Sequence, residues 1–377
     1  MVVLPMLAGL GWWYFHQRQL PNLDPAYHEF AYITNRKSNT VSVIDLRTFR
    51  LVSTLRVGAG PAGIAINPQR NEVYVANSGS ANLSVVDVER NTVIATIGLQ
   101  GAPFFVDVAA NGRRAYATNS GSNNVSVIDL DMRRAIATLR VGISPAQTRV
   151  SPDGNTVVVS NRGDDSISLI DTRSVSVRST VPICHEPGDI AILPDNSKAF
   201  IACSGSAQVA SLDLRTDKLL TLLDVGKTPV NLALKPDGGE LIVCNLDSDS
   251  ISIIETANDE VSGSYLIGRH PSRGIVSADN SRLYVSNLGS NSITVYDIDI
   301  GKIVASLPVG SQPDGLALSA SQNYLLVLDS QSGDVTVIQK RKPRKLEPGE
   351  YGLLTMIPAG VQPNNIVVKS FISAPPH

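Results

Sequence analysis

The chain has 377 residues, 43% hydrophobic and 18% charged, with a formal net charge of −2 and a pI near 6.2. That balance excludes a general attraction to nucleic acid or to an anionic membrane surface. Three cysteines (Cys184, Cys203, Cys244) form no C-x-x-C pair and offer no disulfide framework, and Cys184-His185 lacks the upstream cysteine that covalent haem attachment needs.

The first segment, "MVVLPMLAGLGWWYF", is apolar through Phe15. It is short for a membrane span, which takes about 20 residues, and no lysine or arginine precedes it. Trp12, Trp13 and Tyr14 suit an interfacial aromatic belt. Residues 1–20 are therefore read as an export signal or signal-anchor, 21–29 as a linker, 30–370 as one repeat domain and 371–377 as a tail. The leader implies an extracytoplasmic location, periplasmic or at the cell surface, with one N-terminal anchor if it is not cleaved.

Next comes "VGAGPAGIAI", whose Gly58, Gly60 and Gly63 fit G-x-G-x-x-G. A dinucleotide-binding turn needs a helix opening at the third glycine. Pro68 and a β-branched run follow instead, and the phrase recurs as "VGISPAQTRV", "VGKTPVNLAL" and "VGSQPDGLAL". Its prolines, Pro61, Pro103, Pro145, Pro187, Pro229, Pro271 and Pro313, stand 42 residues apart, and Pro363 follows at 50. Most copies lack the second and third glycines, so the phrase is a hinge rather than a phosphate cradle.

A second ruler gives the same period: "YITN" at Tyr32, "YVAN" at Tyr74, "YATN" at Tyr116, then "VVSN", "FIAC", "IVCN", "YVSN" and "LVLD" in steps of 42. Each unit holds four short β-rich runs between turn signals, such as "GIAIN", "EVYVAN", "LSVVDV" and "TVIATIGL". No helical periodicity appears after residue 30. Four antiparallel strands in about 40 residues make a propeller blade. Cys203 and Cys244 fall in such strands and are expected to be small buried hydrophobes. Asp45, Asp87, Asp129, Asp171, Asp213 and Asp297, with Glu255 and Gln339 in the same series, end third strands and are expected to cap their own turns.

The phrases Tyr-Val-Thr/Ala/Ser-Asn, Ser-Val-Ile-Asp and Val-Gly-x-x-Pro, at this period over nearly all of residues 30–370, resemble the YVTN-repeat family of β-propellers. WD40 is disfavoured because the tryptophans, Trp12 and Trp13, lie in the leader. Second, third and fourth strands each occur eight times and first strands also eight, the last at "NNIVVK". The expected fold is all-β, a propeller of eight four-stranded blades closed by N- and C-terminal strands in one blade. Seven blades is the alternative, as in many relatives. The extra residues near the end form a basic run, "KRKPRKLEPGE", expected as a solvated insertion or a site for an anionic partner.

Ligand sites in propellers gather where the fourth-to-first joints and second-to-third loops surround the channel mouth. Departures from small neutral residues there are informative. Before the prolines stand His185, Glu186, Lys227, Arg269 and His270; two residues after them stand Gln147, Asp189, Asn231 and Arg273; four after stand Asp107 and Arg149. These eleven residues, most of them in one sector of blades 3–6, are the candidate ligand-binding set. No catalytic residues and no metal ligands are assigned, since the remaining histidines, His16, His28 and His377, lie before the first strand or at the terminus. The expected function is a non-catalytic binding or scaffold propeller, monomeric, taking a protein or a small anionic or polar ligand, with no cofactor. The rival is a propeller enzyme or cofactor carrier. A lactonase would use acids and asparagine around a divalent cation. A haem-binding, nitrite-reductase-like domain would use His185 or His270 as axial ligand, with Arg149, Lys227 and Arg269 on the propionates.

Overall fold

The computed structural model describes residues 24, 26–341 and 350–373. The expected leader, His16, His377 and the middle of the basic run lie outside the described residues. The described chain forms eight four-stranded antiparallel sheets arranged as blades around a channel. It contains no α-helix, and its one 3₁₀ turn is Leu246–Ser248. No helix of the described residues is long and apolar enough to cross a membrane.

Blade 4 shows the plan: first strand Pro187–Ile192, second Lys198–Cys203, third Gln208–Asp213 and fourth Lys218–Asp224, paired in that order from the channel outward. Blades 1, 2, 3, 5, 6 and 7 occupy residues 61–98, 103–140, 145–182, 229–266, 271–308 and 313–358. Blade 8 joins the two ends of the chain. The final strand, Pro363–Ile372, pairs with Tyr27–Asn35 from Tyr27↔Ile372 to Asn35↔Pro363, and Thr40–Asp45 and Arg50–Arg56 complete the sheet. That seam strand begins before the expected residue 30 and takes in His28, which therefore lies in the sheet rather than ahead of it.

Second and third strands read as apolar runs because both of their faces are covered. The hydrophobic clusters show by what. Each of the eight is shared by two neighbouring blades; Tyr116, Val125 and Val127 of blade 2, for example, pack on Val157, Val159 and Ile170 of blade 3. Fourth strands alternate toward solvent, as "SVRSTVP" does at Ser176–Pro182. A register shift recurs between third and fourth strands, as between Leu169 and Ile170, and such bulges increase the local twist.

The turn acids behave as expected. Asp171 accepts hydrogen bonds from the amides of Arg173 and Ser174, and Asp213 from those of Arg215 and Thr216, and Asp45, Asp87, Asp129 and Asp297 close their turns in the same way. Leu169 is fully buried between blades 3 and 4. Leu169→Ala should lower unfolding stability by about 3 kcal/mol, read as a shift in urea midpoint with unchanged m-value.

Candidate functional site

Each fourth-to-first joint lies against the second-to-third loop of the blade it enters. At blade 4 the amides of Ser204 and Gly205 donate to the carbonyls of Glu186 and His185. The residue before every one of the eight prolines has a left-handed backbone, with φ between 48° and 60°. Glu186 and His270 are among them, a conformation that costs non-glycine residues of order 1 kcal/mol. Because Ala102 and Gln362 share it, this strain belongs to the repeat and does not mark a site.

The structure divides the eleven candidates into two groups. His185, Glu186, Lys227, Arg269 and His270 are exposed on the joints, at the rim of the channel. Asp107, Gln147, Arg149, Asp189, Asn231 and Arg273 lie on first strands, along the channel wall. The mouth as read from the sequence is therefore a rim and a wall with different chemistry.

At the rim, charges pair across blades 3 and 4. His185 Nδ1 stands 2.6 Å from Asp165 Oδ2, and Arg162 Nη2 stands 2.8 Å from Glu186 Oε2. The hydrogen bond and charge of Asp165 raise the imidazole pKa, and the Arg162 guanidinium lowers that of the Glu186 carboxyl. Asp165 is lowered first by the Glu186 amide and then by His185. Arg162 and Asp165 were not among the sequence candidates. Their signal was available, since the loop "NRGDDS" carries charge where other copies read "NSGSAN" or "NSGSNN".

The remaining rim acids are engaged as well. Asp164 accepts from the Ile143 amide, Asp247 from Thr228 Oγ1 and Asp249 from the His270 amide. By contrast, the side chains of Lys227, Arg269 and Arg273 make no hydrogen bond or ion pair among the described residues. On blades 3–6 the acidity of the rim is consumed by the architecture, while cationic charge is left over on blades 5 and 6.

The wall residues answer a different need. A first strand is paired on one side only, so its other edge turns unpaired backbone groups toward the channel. Asp107 accepts from the amide of Val150 in the next blade at 2.8 Å, Asp189 from that of Leu232 at 3.1 Å and Asn231 from that of Gly274 at 2.7 Å. Asn231 Nδ2 also donates to Asp189 at 2.8 Å. Burial raises the Asp107 pKa against the opposing pull of Arg149 and two backbone amides. Gln147 Oε1 is buried with no partner, the one orphaned acceptor among these six side chains. Asp107, Asp189 and Asn231 each spend one oxygen on an amide of the next blade, and Asp107 and Asp189 spend the other on the following amide of their own strand. Among the described residues no three His, Cys, Asp or Glu side chains converge to hold a metal ion.

Behind the rim lies a ring of latches. The last residue of each second strand is a buried asparagine in six blades, and its amide reaches the third strand: Asn119 Nδ2 to Ser126 at 2.8 Å, Asn161 to Ser168 at 2.9 Å, Asn245 to Ser252 at 3.0 Å. The facing joint position is glycine in six blades, with Gln100 in blade 2; a Cβ on Gly226, for example, would stand 2.6 Å from that of Asn245. Blade 4 changes all three positions together, to Cys184, Cys203 and Ala210, and Cys184 and Cys203 form a disulfide with Cα atoms 5.7 Å apart. The expectation of a chain without disulfides is thus corrected for this pair. Nineteen residues separate the two cysteines, and only the fold makes their positions neighbours. Cys244 stays a free, buried thiol. In blade 7 the latch is Asp329, paired in register with Asp334 where blades 1 and 2 place two asparagines.

The sequence profile described as "Lactonase, 7-bladed beta-propeller" matches residues 108–224 and 267–354, more than half of the chain. The chain belongs to this lactonase-type β-propeller family. Where the family description counts seven blades, this lactonase-type propeller has eight. No curated protein matches it. Solved structures similar in fold include Kuenenia stuttgartiensis hydrazine synthase, at 22% identity and TM-score 0.59, covering 71% of this chain and 91% of that one. A functionally unknown protein from Desulfotomaculum acetoxidans is similar at 19% identity and TM-score 0.62, covering 79% and 98%. Dihydro-heme d1 dehydrogenase NirN in complex with DHE is similar at 12% identity and TM-score 0.73, covering 90% and 74%. At these identities the likeness is one of fold.

Two expectations follow from the latches. Cys203→Ser should lower the thermal midpoint by removing a cross-link of the kind that contributes about 2–5 kcal/mol. The triple change Cys184→Gly, Cys203→Asn, Ala210→Ser should restore it and make it insensitive to dithiothreitol. Burial raises the Asp329 pKa to about 7, aided by Asp334 and opposed by Thr336. The unfolded value is about 3.9, so the folded state holds the extra proton between these limits. Stability therefore falls as pH rises from about 4 to 7. Asp329→Asn should flatten that slope in urea titrations and stabilise the protein at pH 8.

Proposed function

We propose that this chain is a non-catalytic, extracytoplasmic binding propeller that takes an anionic group, on a small molecule or a protein partner, at the rim over blades 4–6. The observation that carries this reading is the charge asymmetry of the rim. Its acids on blades 3–6 are held by backbone amides, hydroxyls or cations, while Lys227 and Arg269 are uncommitted, His270 stands exposed beside them, and Arg273 adds an unpaired cation on the wall just below. The joints that carry Lys227, Arg269 and His270 are anchored between strands and hydrogen-bonded to the adjacent loops, so their backbones are fixed before an anion is captured. The Cys184–Cys203 disulfide supports an oxidising compartment. The YVTN type of the repeat, the N-terminal anchor and the monomeric state belong to this proposal.

Citrate and inorganic phosphate serve as probes. Calorimetry should show citrate binding that weakens with salt, and Lys227→Ala/Arg269→Ala/Arg273→Ala should reduce it at least about tenfold. Salt-insensitive binding, or none, would remove the proposal.

A second reading, a cofactor carrier or enzyme, draws on family membership and on the fold shared with a protein solved in complex with DHE. In this reading His185 or His270 would serve as axial ligand, with Lys227 and Arg269 on acidic substituents. Arg149, lower on the channel wall, is not placed with them. A visible absorbance band on hemin addition that disappears in His185→Ala/His270→Ala supports it. Lactone hydrolysis dependent on added divalent cation supports a lactonase instead.

A further inference from the structure

The channel has a second chemical environment below the rim. A cavity of about 270 Å³ opens between the first strands of blades 3, 4 and 5. Its wall is apolar, from Pro152, Ile190, Ile192, Leu232 and Leu234, and its one charged lining group is Arg149. The guanidinium lies over the Phe105 ring, 4.9 Å from its centroid, and its side chain is about one-third exposed (37%). Stacking of this kind fixes the plane of the fork.

Arg149 is poorly satisfied where it stands. Its Nε donates to the Ile190 carbonyl at 3.4 Å, and its terminal nitrogens donate no hydrogen bond among the described residues. Asp189 is 3.8 Å from Nη2, beyond hydrogen-bonding distance. Both nearby acids are turned elsewhere: Asp189 accepts from Ile190 N, Leu232 N and Asn231 Nδ2, and Asp107 accepts from Val108 N and Val150 N. The terminal nitrogens thus keep unused donor capacity beside the apolar lining of the chamber, with Asp189 as a long ion-pair partner only.

We infer that this lower chamber is a binding site for a small organic carboxylate with an apolar body, separate from the rim. The space of about 270 Å³, open to the channel, has room for a ring or a six-carbon chain together with its carboxylate. The carboxylate would lie in the plane of the guanidinium and accept two parallel hydrogen bonds, the geometry that arginine offers and lysine does not. The apolar body would lie against Ile192, Leu232 and Leu234.

The test titrates the whole chain with hexanoate and benzoate and, in parallel, with the neutral isosteres hexanol and benzyl alcohol, by ligand-observed NMR. The acids should bind at least about tenfold more tightly than the alcohols. Arg149→Met should bring that ratio close to one, while Arg149→Lys should restore only part of it. Leu234→Phe, which narrows the chamber, should weaken acid and alcohol alike, and it decides the matter alone if the Arg149 variants do not fold. The rim variant Lys227→Ala/Arg269→Ala should leave hexanoate binding unchanged, which separates this site from the one proposed above. Equal binding of acid and alcohol by the unaltered protein, binding indifferent to Arg149→Met or Leu234→Phe, or no binding at all would overturn the assignment.

Discussion

A four-stranded sheet that is apolar on both faces cannot stand alone in water, and every blade of this chain is such a sheet. Each buries one face against the blade before it and the other against the blade after it, so the hydrophobic clusters number one per interface. An open row of blades would leave two such faces wet; a ring leaves none. Closure therefore follows from patterning, and pairing Pro363–Ile372 with Tyr27–Asn35 turns the last interface into an ordinary one. Tyr32, Val41 and Val43 of the seam blade are buried as completely as their counterparts elsewhere.

Closing the ring creates a second problem at the axis. Eight first strands present one unpaired edge each, too far from the opposite strands for backbone pairing. Side chains from neighbouring first strands meet part of that demand, and this accounts for Asp107, Asp189 and Asn231 without invoking a ligand. Asn365 does the same service for the Ala62 carbonyl at the seam. Polar residues in a channel are thus of two kinds, those spent on the backbone and those left with unused capacity. Arg149, Lys227, Arg269 and Arg273 belong to the second kind, and both proposals rest on that distinction.

The repeat also shows how one blade can depart from its neighbours without loss of form. Seven latches are polar, six made by asparagine and one by Asp329. Blade 4 replaces glycine, asparagine and serine by Cys184, Cys203 and Ala210, so that a covalent bond ties the second strand to the joint where elsewhere an amide ties it to the third strand. The three changes are intelligible only together: a lone cysteine at position 203 would leave a serine at position 210 without its donor.

Period, strand order and blade count were legible in the chain itself, because a 42-residue register fixes turn chemistry and apolar alternation eight times over. The turn-capping role of Asp171 and Asp213 was legible too, since an aspartate and the amides it caps lie within three residues. Other matters depended on groups far apart in sequence. Which carboxylates are spent, which guanidinium keeps unused donors, and which two cysteines meet are all settled across blade boundaries, at separations near 20 or 40 residues. A sequence places residues on a strand by local periodicity, but the partner of a side chain is chosen by the closed ring, and only the tertiary structure carries that information.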